Sequence, residues 1–230
     1  MAAASERSAG KKVDFAGSSL ECRPLTPESI QGLDLVLASA GGKISAEWAP
    51  EFVDAGAVVV DNTSYWRMHD DVPLIVAQVN DDAVEGHNGI IANPNCTTMQ
   101  LMVALKPIHD AARLERLVVS TYQSVSGTGR EAIKELREES RAILDGKRAE
   151  PKVFPHQVAF NVLPQVEQFL DGDDYTTEER KVMAETRKIL DLDESVGISS
   201  TCVRVPVVTG HSESVNVQTK RDLSPEDCRE

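Results

Sequence analysis

Apolar and polar positions along the chain follow two successive regimes. From Leu33 to Ala92 short apolar runs alternate with helical spacing. Leu33–Ala38 reads as a buried parallel strand, Ser39–Gly42 as a turn, and Ala57–Val60 as a second strand closed by Asp61 and Asn62. Between them Ser45–Ala55 has helical periodicity, with Trp48, Phe52 and Val53 on one side, and Leu74–Val76 and Gly89–Ala92 are further short apolar runs. Strand–helix–strand alternation with glycine turns predicts a parallel, doubly wound α/β sheet, which binds ligands beyond the carboxyl ends of its strands. The turns Ser39–Gly42 and Asn62–Arg67 fall there.

After Cys96 the pattern changes. Thr97–His109 predicts a helix with Met99, Leu101, Met102, Leu105 and Ile108 on its apolar side, its last turn softened by Pro107. Leu117–Gln123 reads as a strand, Gly129–Leu144 as a charged helix, and Phe154–Pro164 as irregular. Thr177–Leu190 reads as a second charged helix, with Thr176 or Thr177 as its cap. Ser199–Val208 and Ser212–Thr219 read as strands broken at Gly210-His211, and Ser224-Pro225-Glu226 as the opening of a last helix. The change of regime predicts two domains, residues 1–95 and 96–230. No buried strand feeding a Gly-rich turn and helix is found before Val13, and the last helix stops at Glu230. The expectation is therefore of a chain cut at both ends.

Composition narrows the partners. The 230 residues are 41% hydrophobic and carry a net charge of −13, with no dense Lys/Arg cluster, which argues against nucleic acid or an anionic membrane. No apolar stretch has bilayer-spanning length and no secretory signal is visible. Cys22, Cys96, Cys202 and Cys228 lack metal or redox spacing, and the five histidines form no metal motif. A reducing, cytoplasmic compartment and no bound metal are expected.

The candidate chemistry centres on Cys96, in Asn93-Pro94-Asn95-Cys96-Thr97-Thr98 at the start of a helix. Unpaired N–H groups and the positive end of the helix dipole favour thiolate, the form that attacks carbonyl carbon. A small buried cysteine would suit the same place. His211, at the break between two strands, suits proton transfer near neutral pH or a plain backbone contact. Arg204, in an apolar run, needs an anionic partner: either a ligand carboxylate or an internal acid.

Three segments, Gly89–Asp110 (GIIANPNCTTMQLMVALKPIHD), Val119–Gly129 (VSTYQSVSGTG) and Thr201–Val217 (TCVRVPVVTGHSESVNV), closely resemble the bacterial type of aspartate-β-semialdehyde dehydrogenase. Weaker matching runs through Ser8–Lys11, Ala38–Gly42 and Asp61–Met68. The resemblance implies an incomplete Rossmann-type NADP-binding domain followed by an α+β catalytic and dimerisation domain of the glyceraldehyde-3-phosphate dehydrogenase type. It implies Cys96 as nucleophile, His211 as general acid/base, and Gln123, Arg204 and Glu178 on the substrate. It further implies Arg67, Lys181 and Asn95 on phosphate, the cations also lowering the thiol pKa, and Ser5, Arg7, Ser8, Ser39, Gly41, Ser126 and Gly127 on NADP. The activity implied is reversible reductive dephosphorylation of L-aspartyl-4-phosphate to L-aspartate 4-semialdehyde by a homodimer or homotetramer. That step serves diaminopimelate, lysine, threonine and methionine biosynthesis. The alternatives are an N-acetylglutamyl-phosphate reductase-like enzyme and a truncated, non-catalytic assembly partner. Without a Gly-rich loop the chain is expected to bind NADP poorly and to fold marginally.

Overall fold

The computed structural model describes residues 1–229 and divides into two compact units, Met1–Pro94 and a second from Asn95 onward. In the first, Leu35–Ala38 (β4), Val58–Asp61 (β5) and Ile90–Ala92 (β6) form an all-parallel sheet in the order β4-β5-β6, with Gly42–Asp54 (α1) crossing between β4 and β5. Val59 and Ala92 are fully buried, as parallel strands beneath a helix require. Leu35 and Leu37, by contrast, are 59% and 75% exposed on β4. The run Leu74–Val76 makes only a single bridge, Leu74 to Ala92.

A second small sheet was not foreseen. Ala2–Ala4 (β1) pairs parallel with Ser18–Pro24 (β3), which pairs antiparallel with Lys12–Phe15 (β2). The β2–β3 hairpin turns on Ala16 and Gly17, both at positive φ (49° and 77°), the two-residue geometry that matches strand twist. β1 leads into a 3-10 turn, Glu6–Ser8.

In the second unit Leu114–Gln123 (β7) is the central strand, parallel to Gly197–Arg204 (β8) and antiparallel to Ser212–Thr219 (β9). Cys96–Ala112 (α2) and Thr177–Leu190 (α4) pack together, α2 on β7 and α4 on β8. Arg130–Leu144 (α3) covers Val125, Val158 and Leu163. Pro107 does not stop α2, which continues to Ala112; a proline costs one N–H bond but is tolerated when the rest of an amphipathic face is packed. β8 ends at Arg204, two residues before Pro206, rather than at Val208. The expected last helix is only a turn in the described residues: Cys228 N–H reaches Ser224 O, while the Asp227 carboxylate closes back on Ser224. No described helix is long and apolar enough to cross a membrane.

Candidate active site

Strand alternation delivers two of the site residues. Along β7, Leu117, Val119, Thr121 and Gln123 turn to the buried face; along β8, Ser200, Cys202 and Arg204 do the same. The register sets Gln123 beside Arg204. Both side chains are nearly enclosed, at 2% and 7% exposure, so each polar group needs a partner.

The helices supply those partners. Thr176 caps α4 reciprocally with Glu179, and the other Glu179 oxygen accepts the Cys202 N–H of β8, which ties the helix to the sheet. Two residues past the cap, Glu178 points inward at 4% exposure. Its carboxylate accepts Gln123 Nε2 and Asn95 Nδ2, each at 2.9 Å. Gln123 Oε1 in turn accepts the Thr121 hydroxyl at 3.0 Å. Asn95 is the N-cap of α2: its Oδ1 accepts Thr97 N–H at 2.8 Å and lies 3.5 Å from Cys96 Sγ. Because Glu178 takes the amide nitrogen, the oxygen is forced toward the thiol and the open helix end.

Cys96 occupies the first position of α2, exposed, with Sγ 3.3 Å from His211 Nε2. Ser124 N–H donates to His211 Nδ1 at 3.0 Å, while Ser124 O accepts Arg204 Nη1 at 2.6 Å. One residue thus sets both groups. With Nδ1 accepting, the neutral imidazole carries its proton on Nε2, facing the sulfur. A Cβ added to Gly127 would lie 3.6 Å from His211 Cε1 and 3.8 Å from Arg204 Nη1, so the bare glycine leaves room over both.

The electrostatics correct one expectation. Although the residue is exposed, the protein atoms around its sulfur displace part of its water: that desolvation first, and then the Glu178 charge, push the Cys96 thiol above its usual range; hydrogen bonds from Thr97 and the first-turn backbone pull it down but are outweighed. The helix start and cations do not prevail, because Lys181 pairs with Glu167 and Glu178 rather than with the sulfur. Burial and the Arg204 charge hold His211 below its usual value. At neutral pH the resting pair is a thiol and a neutral imidazole. Burial also lowers the Arg204 guanidinium from its very high value, against the pull of Glu178.

Cys96, His211, Gln123, Arg204, Glu178, Lys181 and Asn95 therefore share one cluster in the second unit, with Ser126 and Gly127 on the adjoining 3-10 turn Val125–Thr128. Arg67 lies in the first unit, 8% exposed, donating to Asn93 O and Asn62 O at 3.0 Å each. Its loop is fixed by Asp61, which accepts the Ser45 hydroxyl and Thr63 N–H. Also in the first unit, Ser5, Arg7 and Ser8 sit on the Glu6–Ser8 turn, Ser39 Oγ takes Asn62 Nδ2 at 3.4 Å, and Gly41 caps α1 at φ 99°. Two site residues were missed from sequence. Ser124, immediately after Gln123, was readable only as turn, and Glu185 was readable only as one more helix charge seven residues after Glu178.

Comparison with known proteins matches residues 1–87 to the NAD binding domain of semialdehyde dehydrogenase and residues 105–230 to its dimerisation domain. Aspartate-semialdehyde dehydrogenase of Aquifex aeolicus is 52% identical over 99% of this chain and 67% of its own length, and that of Bacillus subtilis 48% over 95% and 64%. A crystal structure of aspartate semialdehyde dehydrogenase II from Vibrio cholerae, 46% identical, superposes with a TM-score of 0.91 over 98% of this chain and 68% of that one. The chain spans about two thirds of the length of these relatives. With a cysteine–histidine pair at the head of α2, and with one family model covering over half its residues, the chain belongs to the semialdehyde dehydrogenase family.

Proposed function

We propose that this chain carries the catalytic centre of an NADP-dependent aspartate-semialdehyde dehydrogenase, interconverting L-aspartyl-4-phosphate and L-aspartate 4-semialdehyde for lysine, threonine and methionine synthesis. The observation that carries the reading is the 3.3 Å approach of Cys96 Sγ to His211 Nε2, beside a buried guanidinium. In the biosynthetic direction the sulfur attacks the acyl carbon as thiolate; the C–S bond forms as the C–O bond to phosphate breaks, and the thiol proton leaves on the phosphate. When bound, the nicotinamide supplies the hydride. His211 Nε2–H donates to the oxygen as the thiohemiacetal forms; the same nitrogen then takes that proton back as C=O re-forms, the C–S bond cleaves and the sulfur leaves as thiolate, releasing aldehyde.

Arg204 would hold the substrate α-carboxylate in a two-pronged contact, and Glu178 the α-ammonium. Gln123 orients the reacting carbonyl, while Asn95, Arg67 and Lys181 receive phosphate. Beside the Lys181 ammonium 3.6 Å away, a free substrate ammonium would add a charge-assisted contact to the buried Glu178 carboxylate that the acetamide of N-acetylglutamyl phosphate could not. The Vibrio cholerae enzyme has been solved complexed with ASA. We assign residues 1–95 to nucleotide binding and 96–230 to catalysis and assembly, as a homodimer or homotetramer in the cytoplasm.

The side chains fit the cofactor in part. Arg7 with the Ser5 and Ser8 hydroxyls on an exposed turn suits a 2′-phosphate, Ser39 and Gly41 line a strand end, and Gly127 with Ser126 leaves space over His211. No Gly-rich strand–turn–helix is present among the described residues, so binding of NADPH by this chain alone should be weak; micromolar affinity on titration would contradict that. The activity test is phosphate-dependent reduction of NADP by aspartate semialdehyde, comparing the chain with Cys96→Ser. Equal rates, or none in either, would leave assembly partner as the better reading.

A further inference from the structure

Glu185 is a carboxylate buried to 1% exposure that the reaction above does not use. It lies seven residues after Glu178, so both point from the same face of α4 toward the start of α2. Burying a carboxylate is costly unless it receives strong donors. One donor is the main-chain N–H of Asn95, 2.8 Å from Glu185 Oε2. Asn95 is thus clamped by two acids: Glu178 on its side chain and Glu185 on its backbone. Its Oδ1 then has one direction left, toward Thr97 N–H and the sulfur.

We propose that Glu185 is a positioning residue for Cys96, fixing the Asn95 main chain so that the first turn of α2 presents Sγ to His211. The proposal rests on Cys96 being the nucleophile. Without the anchor, the Pro94–Asn95 peptide rotates, the cap on Thr97 loosens, and the sulfur loses both its N–H environment and its 3.3 Å contact with Nε2. Glu185→Gln keeps an acceptor oxygen and removes the charge; Glu185→Leu removes both. The difference between the two variants isolates the anchor.

The probe is iodoacetamide, with Cys96 alkylation followed by peptide mass mapping across pH in the intact chain, so that exposed Cys228 is counted separately. The expected result is that Glu185→Gln alkylates at or above the wild-type rate at pH 7.5, while Glu185→Leu is at least about fivefold slower than Glu185→Gln. Equal rates in the two folded variants overturn the proposal. If Glu185→Leu does not fold, the wild-type Asn95 amide decides. Slow hydrogen exchange there supports the anchor, and exchange at the rate of an open peptide overturns it. In turnover with aspartate semialdehyde, Glu185→Leu should lower kcat with KM held. Absence of turnover in the wild type would refute the dehydrogenase reading while leaving the alkylation result intact.

Discussion

Replacing Glu178 by glutamine should make Cys96 more reactive and the enzyme worse. The carboxylate is separated from the sulfur by a single amide: 2.9 Å from Asn95 Nδ2, whose Oδ1 is 3.5 Å from Sγ. A separation of about 7.5 Å at an effective dielectric of about 20 gives roughly 2 kcal/mol of repulsion between carboxylate and thiolate. Cys96 is exposed, and solvent screening cuts this to about 1 kcal/mol. Iodoacetamide should therefore alkylate Cys96 in Glu178→Gln up to about fivefold faster at pH 7. The new amide group must face a donor, either Gln123 Nε2 or Asn95 Nδ2. Gln123 is the one expected to flip, since its Oε1 partner is a hydroxyl that can reverse, whereas Asn95 is held by its cap. Losing the contact to a substrate ammonium removes about 1.5–3 kcal/mol, so kcat/KM should fall about 10- to 150-fold. Slower or unchanged alkylation in a folded variant would refute the electrostatic account of this thiol.

Arg204→Lys keeps the charge but loses the fork and the Ser124 carbonyl contact; KM for aspartate semialdehyde should rise about 10- to 100-fold, with Cys96 alkylation within about twofold of wild type. His211 is held below its usual 6.5, so the acidic limb of the kcat/KM profile should lie below that pH and vanish in His211→Asn; a limb above it would contradict neutral imidazole at rest. Thr176→Ala removes the reciprocal cap with Glu179 at a fully buried position and should destabilise the second unit by about 1–2 kcal/mol in urea unfolding, with the midpoint lowered and the slope unchanged.

Much of this was readable from residue order because the periodicities were strong. The strands carrying Gln123 and Arg204 were legible as apolar runs, and the start of α4 at Thr177 was legible from the Thr-Thr pair, of which Thr176 is the cap. The sheet β1-β3-β2 was not readable. β2 is exposed at every position, β1 is three alanines, and the hairpin turns on Ala-Gly rather than on an asparagine or aspartate signal. Nor was the ionisation of Cys96. Local position argued for thiolate, but the deciding terms are burial and a carboxylate 82 residues away in sequence, and neither leaves a trace in the pattern around the cysteine. The roles of Ser124 and Glu185 come through main-chain N–H groups, which any side chain at the donor position supplies equally.

The two charges that oppose ionisation at rest are the two that a zwitterionic substrate would cancel. Glu178 raises the thiol, and an α-ammonium against it would relieve that; Arg204 lowers His211, and an α-carboxylate against it would relieve that too. Occupancy then moves the thiol in the direction of thiolate, which is what attack requires. The empty site keeps a less reactive thiol. On this reasoning a small α-amino acid without an electrophile should shift the pH profile of Cys96 alkylation toward lower pH in the wild type. The shift should shrink in Glu178→Gln, where one of the two cancellations has already been made. An equal shift in both proteins would mean that the bound ammonium acts on the sulfur by some path other than this carboxylate.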